Sequence, residues 1–534
     1  MIRKSVEPTA LYHLLNCGQG KKYFFNPKIG IYTEGVSLSR NNKSIKKNSQ
    51  NMASKHISLA PDLKISRILT GLWQVADMER DGKQLDLDAA AKALIPYIEA
   101  GLTTFDMADH YGSSELIVGR LHKKYVPKET IQLFTKWVPS PGKVSKESVR
   151  KAVQLSLDRM QLETLDVLQY HAWNYADPAW LDQLFWLQEL REEGLIKHLG
   201  VTNFDTAHLK MVVDSGVKIV SNQVCFSLLD QRAQQSMLAL CVEKNIQLLA
   251  FGTVAGGFLS EKWLGKPDPE LDKLATWSEM KYKRFIDEVG DWQHFQQLLQ
   301  TLSAISQDKS VDIANIASRY ILEQNGVGGV IIGARLGKSA HIQSNLQIFE
   351  TALTPDEKAQ IETILTQSNP IAGDCGDEYR KPPFLTASGD LSHHIDNFPL
   401  PYTTKLGKDG RTHVLSGTIW EDLAGYSRAV KKGNRILVSG TTATHGNQVI
   451  GGNDPASQTH FILDKIEGAL QSLGSRLEDV VRTRIFIKNI DDWEPIARAH
   501  GTRFKDIQPV NTMVQANLIG DDYLVEIEAE AMVN

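Results

Sequence analysis

The sequence is poor in cysteine, has no long apolar run and carries little excess charge of either sign. Four cysteines stand in 534 residues, at positions 17, 225, 241 and 375. None forms a C-x-x-C pair or sits in a Cys/His cluster with metal-ligand spacing, so neither a zinc-type site nor a disulfide framework is expected. So few thiols fit a reducing compartment, and a cytoplasmic protein is expected. The best membrane candidate, Gly326–Ala334, is about half the roughly 18–20 residues that a span needs, and reads as a buried strand. A net charge of −4 and a pI near 6.4 give no basic surface for nucleic acid. The expected partner is a small molecule, with neither membrane nor nucleic acid. One motif is also missing: no G-x-G-x-x-G follows the first apolar strand, which removes support for an open dinucleotide-binding sheet.

The length predicts two or three domains. Residues 1–51 hold nine Lys/Arg against two acidic residues and show no sustained apolar period. They read as a disordered basic extension or a start assigned too far upstream, with Met52 opening the folded part. The alternative is an organellar transit peptide, which would also be basic and acid-poor.

From about residue 52 to 370 short apolar strands alternate with longer amphipathic stretches. After a hairpin at 56–66 the expected strands are 68–73, 103–109, 131–137, 167–173, 196–203, 219–226, 246–254 and 328–335. Each precedes a helical pattern. In the third, Val149, Ala152, Val153, Leu157 and Met160 keep i, i+3, i+4 spacing. Near-continuous apolar strands separated by helices predict a parallel sheet covered on both faces, and eight such units predict a closed α/β (β/α)8 barrel. Residues 371–410, rich in Pro, Gly, Asp and Ser, read as a linker; its His393-His394 pair reads as solvated rather than metal-binding. Residues 411–534 change pattern again. An apolar strand (436–439), an amphipathic helix (458–473) and strands of period two at 480–487 and 523–533 predict a separate small α+β domain.

Four residues of the expected barrel fall at or near the carboxyl ends of successive strands: Asp106, Tyr111, Lys136 and His171. Strand carboxyl ends converge on one mouth, so residues some 65 positions apart would meet there. Their types suit carbonyl reduction, which needs a hydride at carbon and a proton at oxygen. A tyrosine at its ordinary pKa of about 10 is a poor acid. A lysine cation stabilises the phenolate, an aspartate holds the lysine, and a histidine bonds the substrate oxygen where charge develops. Taken singly, each has a bland reading as a solvated tip, a turn or a cap residue. All four in order is a much rarer coincidence.

Asp106-Met-Ala-Asp-His-Tyr-Gly-Ser-Ser-Glu, with the Lys136 and His171 strands, resembles the aldo-keto reductase tetrad residue for residue. The resemblance implies an NAD(P)H-dependent reduction of an aldehyde or ketone to an alcohol. It implies that Thr202, Asn203 and Gln223 reach the nicotinamide carboxamide, and that Phe226 or Phe251 stacks on the ring. It places Gly252, Gly256, Gly257 and Leu259 at the pyrophosphate, where glycines admit close backbone approach. Gly333, Arg335 and Asn345 would hold the adenosine end. Arg335 suits a 2′-phosphate, so NADPH is the expected cofactor and NADH the alternative. His341 and Ser344 depart from the family's usual Gln or Arg and Glu. Trp73, His110, Trp137 and Trp173 are candidate substrate contacts, with packing as the other reading.

Residues 424–534 resemble the Rid (YjgF-type) enamine/imine deaminase superfamily, through Tyr426-Ser-Arg-Ala-Val, Ile436-Leu-Val-Ser-Gly and Tyr523-Leu-Val-Glu-Ile-Glu-Ala. The resemblance implies a homotrimer with intersubunit sites in which Tyr426, Asn511 and Glu528 take part. Asn511 stands where active members carry a carboxylate-clamping arginine, and a neutral amide cannot supply that charge. The expectation is therefore a reductase fused to a module that binds a small ligand or drives oligomerisation. The alternatives are a bifunctional reductase/imine deaminase and a cofactor-sensing regulatory protein. Arg484 reads as part of a charged strand face rather than a substitute anchor.

Overall fold

The computed structural model describes residues 54–338, 340–380, 384 and 398–533, together with the backbone of 23–26 and 31–34. The chain separates into two units, 1–51 and 52–534. In the first, strands Tyr23–Asn26 and Ile31–Glu34 pair antiparallel. The rest of 1–51, and with it the expected extension or transit peptide, lies outside the described residues, as do His393 and His394. Among the described residues no helix is long and apolar enough to cross a membrane.

In the second unit a hairpin, His56–Ala60 with Leu63–Ser66, precedes the barrel. Its apolar side chains Leu59, Leu63 and Ile65 join Leu69, Phe134, Val167 and Leu249 in one buried cluster. Eight parallel strands then close on themselves, each paired with its neighbours in sequence. They are Ile68–Gly71, Thr104–Asp106, Gln132–Trp137, Leu165–His171, Ile196–Thr202, Ile219–Cys225, Gln247–Phe251 and Val327–Gly333. Alternate side chains point inside and outside the barrel, so Lys136 and Trp137 face opposite ways. The outward residues pack on the helices: Tyr170 donates from its hydroxyl to Gln183 of the helix Ala179–Glu192.

The expected strand at 68–73 ends at Gly71, and Trp73 opens the helix Trp73–Met78. The Leu72 N–H makes the last ladder bond, to the Asp106 carbonyl at 2.8 Å, and the chain turns into the helix directly after it.

The second domain is a seven-stranded sheet. Its order is Thr403–Leu406, Thr412–Leu415, Ala429–Lys432, Arg435–Thr441, Val525–Met532, Val480–Ile487 and Val510–Gln515. All pairs are antiparallel except the last. Helices Pro455–Ser472 and Trp493–Phe504 cover one face. Ile462, Ile466, Ala469 and Leu470 are buried against Val525, Ile527 and Ala531. The sheet begins at Thr403, inside the stretch read as a linker, because that edge strand is polar and wholly exposed.

The two domains are packed together. The helix Pro455–Ser472 lies on the barrel helix Thr206–Asp214 and on the loop after His171. Lys210 pairs with Asp454 at 2.7 Å, Ser215 accepts from the Gly451 N–H at 2.8 Å, and His445 reaches Asp182 at 2.7 Å.

Candidate active site

Tyr111 lies in the loop between strand Thr104–Asp106 and helix Ser114–Lys124. Glu79 fixes that loop: its carboxylate accepts from the Ser113 N–H and hydroxyl, both at 2.7 Å. Lys136 lies inside the barrel, buried, and donates to Asp106 Oδ2 at 2.6 Å and to the Met107 carbonyl at 2.9 Å. Its Nζ stands 4.9 Å from the Tyr111 ring centre. Burial pushes the Lys136 ammonium below its ordinary value, and the Asp106 carboxylate opposes that shift. The other oxygen of Asp106 accepts from Gln169 at 2.9 Å and from Gln223 at 2.7 Å. The carboxylate is thus bonded on both oxygens, which is what makes a buried ion tolerable.

His171 ends its strand, buried. Its pKa is lowered to about 3 by burial, with repulsion from Arg380 adding to the effect, so the imidazole is neutral. Nδ1 stands 3.4 Å from the Thr202 carbonyl oxygen, too long to hold one tautomer firmly, and Nε2 is buried without a protein partner.

Around these groups the mouth is aromatic. Trp73 meets the Tyr111 ring at 4.9 Å and His110 meets it at 4.8 Å. Trp173 stands 4.4 Å from His171. Trp137 differs from the other substrate candidates. It packs 5.8 Å from Tyr170 in the layer between strands and helices, away from the mouth, because it alternates with Lys136. Sequence reasoning missed Trp277, 6.1 Å from Trp73, and Tyr379, 5.7 Å from His171.

The expected cofactor residues line the same end of the barrel. Asn203 adopts a left-handed conformation (φ 59°), and its side-chain Oδ1 is buried without a partner. An acceptor held so fits an amide N–H of a carboxamide. Thr202 instead donates to the Gln223 carbonyl at 3.0 Å, and the Gln223 amide nitrogen is committed to Asp106 and Gln169. Phe226 is wholly buried, whereas Phe251 is partly exposed, with Lys281 Nζ 5.2 Å from its ring centre. The loop Gly252–Leu259 folds tightly under the helix Trp277–Val289. At Gly256 (φ 63°) a Cβ would lie 2.8 Å from the Ser278 carbonyl oxygen. Gly257 is also left-handed, and Leu259 is buried. Gly333 ends the last strand. Arg335 follows half-buried, its Nε without a partner. Asn345 is in the helix Ile342–Glu350, where Ser344 bonds Asp312 at 2.5 Å.

The segment after the barrel returns over the mouth. Arg380 donates to the Asn203 carbonyl at 3.2 and 3.3 Å, Glu378 pairs with buried Arg232 at 2.7 Å, and the Tyr379 hydroxyl accepts from Lys281 at 2.9 Å. Gly376 (φ 81°) packs so closely on Asn203 that a Cβ would stand 2.0 Å from its carbonyl oxygen. Cys225, Asp230 and Glu378 are grouped as metal ligands are, but both carboxylates already pair with Arg232.

In the second domain Tyr426 bonds the buried Arg428 at 3.1 Å, and Arg428 bonds the Gly440 carbonyl at 2.8 Å. A Cβ on Gly440 would stand 2.0 Å from a Glu526 oxygen, so the Glu526 carboxylate lies against the strand whose carbonyl Arg428 bonds. Burial and Glu528 raise the Glu526 pKa. Glu528 is paired with Arg484 at 2.9 Å on the open sheet face, and Asn511 bonds Thr483 at 2.9 Å one strand further on. Within one chain, Tyr426, Asn511 and Glu528 are therefore spread across the sheet.

The description aldo/keto reductase family matches residues 67–366, and the description endoribonuclease L-PSP matches residues 420–533. The chloroplastic pyridoxal reductase of Arabidopsis thaliana is 26% identical over 325 residues, 57% of this chain and 85% of that protein. An uncharacterised protein of Streptomyces coelicolor is 37% identical over 119 residues, 22% of this chain and 89% of its own. Among solved structures, the glycerol dehydrogenase of Gluconobacter oxydans shares the fold with a TM-score of 0.50. It is 23% identical and covers 63% of this chain and all of its own. The closed parallel barrel, the buried Lys136–Asp106 pair beside Tyr111 and the match over 67–366 agree: the chain belongs to the aldo/keto reductase family.

Proposed function

We propose that the barrel is an NADPH-dependent reductase that converts an aldehyde or ketone to an alcohol, with Tyr111 as the proton donor. The observation that carries this reading is the contact of Lys136 with the Tyr111 ring while both Asp106 oxygens are bonded. The nicotinamide cofactor supplies the hydride when bound. Asn203 and Phe251 would hold its reactive ring, the Gly252–Leu259 loop its pyrophosphate, and Arg335 its 2′-phosphate. Tyr111 gives its phenolic proton to the carbonyl oxygen, and the nearby Lys136 cation stabilises the phenolate left behind. Neutral His171 orients that oxygen through Nε2. Trp73, His110, Trp173 and Tyr379 give a flat, apolar approach suited to a planar or hydrophobic carbonyl. The C-terminal domain acts as a binding or oligomerising module, trimeric by resemblance, since Asn511 and Glu528 are engaged with Thr483 and Arg484.

The test is a panel of aldehydes and ketones with NADPH and NADH side by side. Oxidation of NADPH in preference to NADH supports the reading. Cofactor binding without turnover across the panel would leave a cofactor-sensing role instead. Native mass measurement checks the trimer.

A further inference from the structure

A continuous chain of buried charged groups runs from the expected nicotinamide loop into the second domain. Asp205 follows Thr202-Asn203-Phe204 and caps the helix Thr206–Asp214, accepting from the His208 N–H at 2.8 Å. Its carboxylate also meets His208 Nδ1 at 2.7 Å. His208 Nε2 meets Asp464 of the second domain at 2.8 Å. The other oxygen of Asp464 accepts from Arg503 at 2.7 Å, and Arg503 also bonds Glu467. Asp205, His208 and Asp464 are all buried.

The chain is braced from the side. The His208 imidazole stacks on Tyr175 at 3.4 Å, with the rings 8° from parallel. Arg380 lies 4.2 Å from the Tyr175 centroid, and its guanidinium bonds the Asn203 carbonyl. Cation and aromatic groups in such contact attract. The loop holding Tyr175 is itself pressed by the second domain: a Cβ on Gly468 would stand 2.2 Å from the Ala176 carbonyl oxygen. Asn203 is thus held from two sides, through Asp205 and through Arg380, and both supports pass through residues that touch His208.

We propose that Asp464 and Arg503 of the second domain are positioning residues for the cofactor loop Thr202–Asp205, acting through His208, so that the second domain is a working part of the reductase. This rests on the reading of Asn203 as a nicotinamide contact. Neither residue reaches the reacting atoms. Their effect is on the loop's geometry: the carboxylates of Asp205 and Asp464 hold both ring nitrogens of His208, and a buried network so bonded fixes one arrangement. The expected signature is a loss of cofactor affinity with little change in turnover once cofactor saturates.

The test uses the full chain, with NADPH affinity read from quenching of tryptophan fluorescence. Asp464→Asn keeps an acceptor for His208 and removes the charge. It is expected to raise the Kd for NADPH roughly 3- to 10-fold and to change kcat at saturating NADPH less than about twofold. Asp464→Asn added to His208→Gln is expected to cost little beyond His208→Gln alone, because both act on one path. Wild-type affinity in Asp464→Asn, or full additivity in the double variant, would overturn the inference. If Asp464→Asn does not fold, Arg503→Gln carries the test: about twofold weaker binding supports the inference and unchanged binding overturns it. Failure of the wild-type chain to bind either NADPH or NADH would instead overturn the reductase reading itself, and the inference with it.

Discussion

The Lys136 ammonium stands 4.9 Å from the centre of the Tyr111 ring and 2.6 Å from an Asp106 oxygen. One cation is therefore shared between the Asp106 carboxylate and the group proposed to release a proton. Tyr111→Phe removes the proton and keeps the ring. Carbonyl reduction is expected to fall by at least about 10²–10⁴-fold in kcat/KM, with NADPH affinity within about twofold of wild type. Comparable turnover in steady-state assays would remove Tyr111 from the role.

Asp106→Asn tests the other half of that pair. Lys136 is buried and would lose its bonded counterion, leaving only the weaker pull of Asp109 against burial. Breaking a buried pair from one side costs about 3–5 kcal/mol, and a urea unfolding series is expected to show a loss of that order along with most of the activity. A variant as stable as wild type would mean that Lys136 is not charged in the folded chain.

His208 gives a pH dependence. Its pKa is raised to about 9, burial working against the shift and the carboxylates Asp205 and Asp464 overcoming it. The ordinary histidine value is near 6.5, so the stabilisation is complete below pH 6.5 and is lost as pH rises through about 9. His460, Arg503, Arg380, Glu467, Asp374, Asp377 and Tyr175 also act on this cluster. The expected loss between pH 6.5 and 9 is about 3 kcal/mol, read as a fall in the urea midpoint. His208→Gln should flatten that part of the profile; an unchanged slope would assign it elsewhere.

Two glycines in the second domain are expected to respond oppositely to alanine. Gly468 meets the Ala176 carbonyl, so Gly468→Ala forces the helix Pro455–Ser472 off the barrel loop, at about 1–3 kcal/mol. Gly501 lies in the helix Trp493–Phe504 with open space around it, and Gly501→Ala is expected to stabilise by up to about 1 kcal/mol. Thermal unfolding of the two variants against wild type checks both signs.

The barrel was legible because each strand is an apolar run with its chemistry at the carboxyl end, and Asp106, Lys136 and His171 follow that rule. Period and spacing do not say which of two buried-type rings faces the mouth, so Phe226 and Phe251 could be separated only by their burial. Thr403–Leu406 was illegible because an exposed edge strand has no apolar alternation to read. Glu378, Tyr379 and Arg380 were taken for connector residues because their partners, Arg232, Lys281 and Asn203, lie about 100 to 180 positions away. Asp464 looked like the polar face of an amphipathic helix; only the packing of two domains turns that face inward. Glu526 and Glu528 share one strand face, and pattern alone does not tell that Glu526 lies against Gly440 while Glu528 pairs with Arg484.

The aldo/keto reductase match ends at residue 366, yet Gly376 and Arg380 close on Asn203 and the loop beside His171 rests on Gly468. The limits of the family match and the limits of the packed body therefore fall in different places. A chain cut at residue 366 would lack the contacts of Gly376 and Arg380 on Asn203 and of Gly468 beside His171, and is expected to leave that flank of the barrel uncovered.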